Sequence, residues 1–159
     1  MKLEEQVTSL ELSRTLKELG VKQKSLFQWS IEYKKKNGKS STQLMGNSFG
    51  MKVFHNISWR VYDWNKRETY SAFTVAELGE MLPARITNPV TRNMDRLCFY
   101  LKEHKGVNSM QDMRDGYTIE YHTLYSAPLH RLWGNTEANA RASMLIYLIE
   151  NKLMEVLND

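Results

Sequence analysis

A single cysteine, Cys98, excludes an internal disulfide, so packing and hydrogen bonds alone must hold the chain together. That usage fits a reducing compartment, and the expected location is cytoplasmic. No stretch approaches the roughly 18 apolar residues that a membrane helix needs, so no membrane partner is expected. The opening MKLEEQVTSLELSR has no long apolar run and does not read as a secretory signal. Low-complexity segments and an interdomain linker are also lacking. His55, His104, His122 and His130 show no i, i+4 pair on a helix, and there is no C-x-x-C, so no metal site is expected. Cys98 has no basic neighbour in sequence and reads as an inert strand thiol.

What is present suits a globular protein. At 159 residues the chain is one domain, long enough to bury roughly 70% of its extended surface. Thr8 and Glu11 read as a capping box for a helix over 9–19, with Leu12, Leu16 and Leu19 on one face and Gly20 as its stop. Phe27, Trp29, Ile31 and Tyr33 alternate as in a strand with one buried face. Residues 34–50 read as a loop, and 51–63 as a strand carrying Val53, Ile57, Trp59 and Val61 on one side. A turn at 65–68 leads to Tyr70 and Phe73. Thr74 and Glu77 form a second capping box, opening a short helix that Pro83 ends. Residues 84–95 read as a loop, and strands follow around Leu97–Leu101 and Tyr117–Tyr121. "SAPLHRLWGN" reads as irregular, and Thr136 caps a long helix over about 137–156. The expected fold is one α+β domain over residues 1–159, an antiparallel β-sheet packed against two or three helices with a long C-terminal helix. Two strand-pair-then-helix segments, 51–82 and 97–156, read either as an internal duplication or as coincidence.

Two motifs in residues 37–50 resemble active sites and lack the context that their chemistry requires. Gly38-Lys39-Ser40 ends like a phosphate-binding loop, but the glycine that should stand five residues before Gly38 is Tyr33, and no helix is expected to follow. Gly46-Asn47-Ser48-Phe49-Gly50 matches a nucleophile elbow, which needs a strand before it and a helix after it. Here period-two residues follow, so Ser48 is expected to be dispensable. The carboxylate pairs Glu77/Glu80 and Glu150/Glu155 sit on expected helix surfaces. No catalytic residue, cofactor or metal is therefore assigned.

The net charge of +4 is uneven, with six lysines between Lys22 and Lys39 against Glu32 alone. Trp29 and Trp59 read as core residues, whereas Tyr62 and Trp64 have the parity of an exposed face. Lys34, Lys35, Lys36, Tyr62, Trp64, Lys66 and Arg67 are thus the candidate anion- or base-binding residues. They would converge if the strands carrying Trp29 and Trp59 paired. Cations there would hold phosphates and the rings would stack on a base. The competing reading is a solvated face that only keeps the chain in solution.

The segments LKELGVKQKSLFQW (16–29), YSAFTVAELGEMLP (70–83) and TEANARASMLIYLIENKLM (136–154) together resemble a family of small uncharacterised proteins encoded by bacteriophages and prophages. The family has no assigned activity, so the resemblance transfers no functional residue. It implies an accessory protein acting by binding in the cytoplasm of a bacterial host. The expected function is non-enzymatic binding of a protein partner, or self-association. The alternative is an anion-binding module for nucleic acid or a host defence signalling nucleotide. An enzyme is the reading with least support.

Overall fold

The computed structural model describes residues 3–33, 40–46, 67–87, 96–104, 116–122 and 130–155. After a short 3-10 turn at Leu3–Glu5, the described elements are α1 (Leu10–Glu18), β1 (Phe27–Tyr33), β2 (Ser40–Gly46), β3 (Arg67–Ser71), α2 (Val75–Met81), β4 (Arg85–Thr87), β5 (Arg96–His104), β6 (Gly116–His122), β7 (His130–Gly134) and α3 (Glu137–Glu150). The strands form two antiparallel sheets, ordered β2-β1-β3 and β4-β5-β6-β7. The α+β class and the C-terminal helix are as expected. The second sheet is a meander and the first is not, so the described strands do not repeat one topology.

α3 supplies the centre of the core. Ala138, Ala142, Met144, Leu145 and Leu148 are buried against Leu16, Phe73, Leu78, Ile119 and Tyr121. Helix α3 lies on β6 and β7 and also touches α1 and α2. Its alanines let the neighbouring backbones approach. On the apolar stripe of α3, Ala138, Ala142 and Leu145 are buried, while Ile149 and Leu153 pack at the margin. Met144 and Leu148 widen the stripe.

The helix stops at Glu150 and does not reach residue 156. Asn151 caps it, Lys152 takes the left-handed conformation at φ 56°, and the Lys152 and Leu153 amides return to the Ile149 and Leu148 carbonyls. This is a Schellman closure with lysine where glycine is usual. α1 closes in the same way, with Gly20 at φ 85° and the Val21 amide on the Leu16 carbonyl. Lys152→Gly is therefore expected to stabilise the fold by about 1 kcal/mol, since only the Cβ strain is removed. An unchanged or lower denaturation midpoint would contradict it.

Three segments expected to be irregular contain strands. β2 has no apolar alternation, yet it pairs with β1 along its whole length, from Phe27↔Gly46 to Tyr33↔Ser40. Backbone groups make a ladder whatever the side chains. β4 is three residues long, with Ile86 as its one buried side chain. β7 carries Leu132 opposite Ile119 in β6. Arg67 and Glu68, expected in the turn at 65–68, already lie in β3. The expected strand 51–63 lies outside the described residues.

The first helix is capped by Ser9, not Thr8. The Thr8 hydroxyl is engaged elsewhere, accepting the Phe73 amide at 3.0 Å and sharing a 2.7 Å hydrogen bond with Ser13. Its backbone amide donates to the Phe73 carbonyl, and its carbonyl accepts the Trp29 indole N–H. The Ser9 amide continues the tie to Asn139 of α3. This fully buried threonine joins the N-terminal segment to both sheet and helix layers. Thr8→Val keeps the shape and strands the Phe73 amide and Ser13 hydroxyl, so about 2 kcal/mol should be lost on chemical denaturation. A loss under a few tenths would contradict this role.

Candidate functional site

Of the seven candidate residues, Arg67 is the one within the described chain, and only its backbone position is defined. Lys34, Lys35, Lys36, Tyr62, Trp64 and Lys66 lie outside the described residues. The backbone register places the two described positions that adjoin them in sequence, Tyr33 and Arg67. β1 and β3 are antiparallel, Arg67 stands opposite Glu32, and β1 ends one residue later at Tyr33. The point where the chain leaves β1 and the point where it enters β3 are thus at the same end of one sheet. β1 has β2 and β3 on its two sides, and the strand expected to carry Trp59 lies outside the described residues.

A basic and aromatic cluster missed in the sequence lies further along β3. Trp29 and Tyr70 are directly opposite each other, so their side chains share a face. Helix α1 crosses that face. Its Arg14 guanidinium lies 5.3 Å and its Lys17 ammonium 4.8 Å from the centre of the Tyr70 ring. Both are within cation–π range. Lys17 also donates to the Thr69 carbonyl at 3.1 Å. The Tyr70 hydroxyl donates to Glu68 at 2.9 Å. That hydrogen bond, with burial and the Glu68 charge, raises the phenol above its ordinary range against the pull of Arg14. Tyr70 therefore stays a neutral donor at physiological pH. The i, i+3 spacing of Arg14 and Lys17 was the sequence signal, and only the packing of α1 onto β3 gives it meaning. Two cations against one carboxylate leave this corner attractive to anions.

The two active-site look-alikes fare no better in the structure. Ser40 opens an antiparallel strand and not the helix N-terminus that a phosphate-binding loop requires. Gly46 ends that strand opposite Phe27, and Ser48 lies outside the described residues. No family model, curated protein or solved structure matches the chain. Among the described residues, no group of three or more His, Cys, Asp or Glu could hold a metal ion. Cys98 and His122 are register partners in β5 and β6. His122 leans on Glu120 at 3.4 Å.

Glu77 is the described carboxylate whose setting most resembles a functional one, and its work is structural. It closes the expected capping box with Thr74. Its Oε1 accepts the Leu26 amide at 2.9 Å, and its Oε2 accepts from the Thr74 amide and hydroxyl and from Ser25. Burial pushes the carboxyl's pKa up, but these hydrogen bonds to its charged form outweigh burial and hold it below the ordinary value of 4.5. A depressed folded pKa adds stability above the unfolded pKa and loses it as pH falls through the folded one. Glu77→Gln should therefore destabilise at pH 7 by about 1–2 kcal/mol, and the difference from wild type should shrink below roughly pH 4. An equal difference at pH 7 and pH 3 in urea titrations would refute the assignment.

Proposed function

We propose that the chain is a phage or prophage accessory protein of the host cytoplasm that acts by binding, with a protein or a second copy of itself as partner. The observation that carries this reading is Leu26. It leaves 58% of its surface in solvent, yet its amide is clasped by the Glu77 carboxylate, which also accepts from its neighbour Ser25. A large apolar side chain on a firmly held loop is an anchor that loses little entropy on docking. Sedimentation or light scattering across a concentration series tests self-association, with Leu26→Ser expected to shift any dimer toward monomer. Oligomers unaffected by Leu26→Ser would remove Leu26 as the anchor.

The cluster of Arg14, Lys17 and Tyr70 favours a second reading, an anion-binding module for nucleic acid or a host defence signalling nucleotide. The shared sheet end of Tyr33 and Arg67 supports this reading, since Lys34–Lys36 follow the one and Lys66 precedes the other in sequence. Calorimetry with linear and cyclic nucleotides separates the two ligand classes. A nucleic-acid site weakens steeply with salt, whereas a nucleotide pocket depends less on salt and loses affinity in Trp64→Ala or Tyr62→Ala.

A further inference from the structure

The segment that joins α1 to β1, VKQKSLF over 21–27, is held to the fold at alternate residues. Val21 belongs to the core cluster. The Gln23 side chain is spent on the fold, its Nε2 donating to the Val21 carbonyl at 2.9 Å and its Oε1 accepting the Ser71 amide of β3 at 2.8 Å. The Ser25 hydroxyl accepts the Phe27 amide at 3.2 Å and donates to the Glu77 carboxylate at 3.0 Å. The residues between, Lys22, Lys24 and Leu26, are exposed.

The Lys24 amide returns to the Lys22 carbonyl at 2.9 Å, closing a γ-turn with Gln23 at its centre. The turn brings the two flanking lysines together, and the Lys24 charge pushes the Lys22 ammonium below its ordinary pKa of 10.5. Among the described residues no carboxylate pairs with either lysine. The Glu77 carboxylate, which holds this loop, is taken up by the Leu26 and Thr74 amides and the Thr74 and Ser25 hydroxyls. Two unpaired cations thus stand beside an apolar side chain on a fixed backbone.

We infer that this turn docks on an acidic segment of a partner protein, with a carboxylate seated between Lys22 and Lys24 and an apolar side chain against Leu26. The inference rests on the protein-partner reading of Leu26 and adds the partner's chemistry. Charge complementarity selects the occupant. Like charges held together repel in the free protein, and a carboxylate between them removes that repulsion in the complex. A second copy is a poor complement, because the chain carries a net charge of +4. Nucleic acid would satisfy the lysines and leave Leu26 without a contact. The bonds of Gln23, Ser25 and the Leu26 amide fix the backbone before docking, so little of the loop must be ordered on binding.

The test is fluorescence anisotropy of labelled probes with the full chain, at low and moderate salt. The probes are a short peptide of glutamate with interspersed phenylalanine, its analogue with serine for phenylalanine, and an oligothymidylate. Wild type should bind the glutamate–phenylalanine peptide most tightly, and more weakly at the higher salt. The double variant Lys22→Glu, Lys24→Glu should weaken that binding about tenfold or more, and should instead bind a lysine–phenylalanine peptide. Leu26→Ser should remove the preference for phenylalanine over serine. Circular dichroism melts establish that the variants are folded. Absence of wild-type binding at low salt, or equal binding by the double variant, overturns the inference. If Leu26→Ser weakens binding and the double variant does not, the Leu26 anchor survives and the acidic partner falls. If charge reversal weakens binding and Leu26→Ser changes nothing, the Leu26 reading falls and the acidic partner is upheld. Tighter binding of oligothymidylate, lost on charge reversal, assigns the turn to nucleic acid and overturns the inference.

Discussion

Leu145→Asp should cost more than about 3 kcal/mol and leave little folded protein. Leu145 is 1% exposed at the middle of α3, amid the side chains of two helices and the second sheet. An aspartate there removes the leucine's apolar burial and places a carboxylate where nothing in the core cluster carries a positive charge. Protonating the carboxyl relieves part of the penalty, so the variant should recover some stability at low pH. Leu145→Ala provides the comparison, losing about 2–5 kcal/mol by transfer and cavity terms without a charge. A cooperative transition at the wild-type temperature for Leu145→Asp would mean that α3 does not pack as described.

Gly134→Val should be nearly as damaging, for a different reason. Gly134 ends β7 two residues before the α3 cap, and a Cβ there would overlap the Ala140 backbone amide nitrogen and Cα. The obstruction is main chain, so no rotamer change relieves it, and β7 or the first turn of α3 must move. Overpacking of this kind costs about 3 kcal/mol, and Gly134→Ala should already show much of the loss. Amide hydrogen exchange should locate the damage in β7 and the start of α3. Uniform protection equal to wild type would contradict the close approach.

These two sites differ in how far the sequence exposed them. Leu145 lies on a periodic apolar stripe and needs only the 3.6-residue repeat to be placed in a core. Gly134 stands in a stretch read as irregular, because its apolar residues Leu129, Leu132 and Trp133 do not alternate with polar ones. β2 was hidden for the same reason: Ser40 to Gln43 offer no alternation, and the ladder to β1 is a backbone property. The Thr74–Glu77 box was legible because both partners are local. The Thr8–Glu11 box was misplaced by one residue because Thr8 bonds across 65 residues to Phe73. Arg14 and Lys17 acquire meaning only when α1 meets β3, which local spacing does not encode.

Binding without catalysis is the central claim, and native mass spectrometry tests it most directly. The full chain would be purified without denaturation from a bacterial host and sprayed across a range of concentrations. The account predicts a subunit multiple, or one chain with a protein, oligonucleotide or nucleotide retained at fixed stoichiometry. A bare monomer at every concentration, carrying a stoichiometric fluorophosphonate adduct at Ser48 after probe treatment, would contradict it.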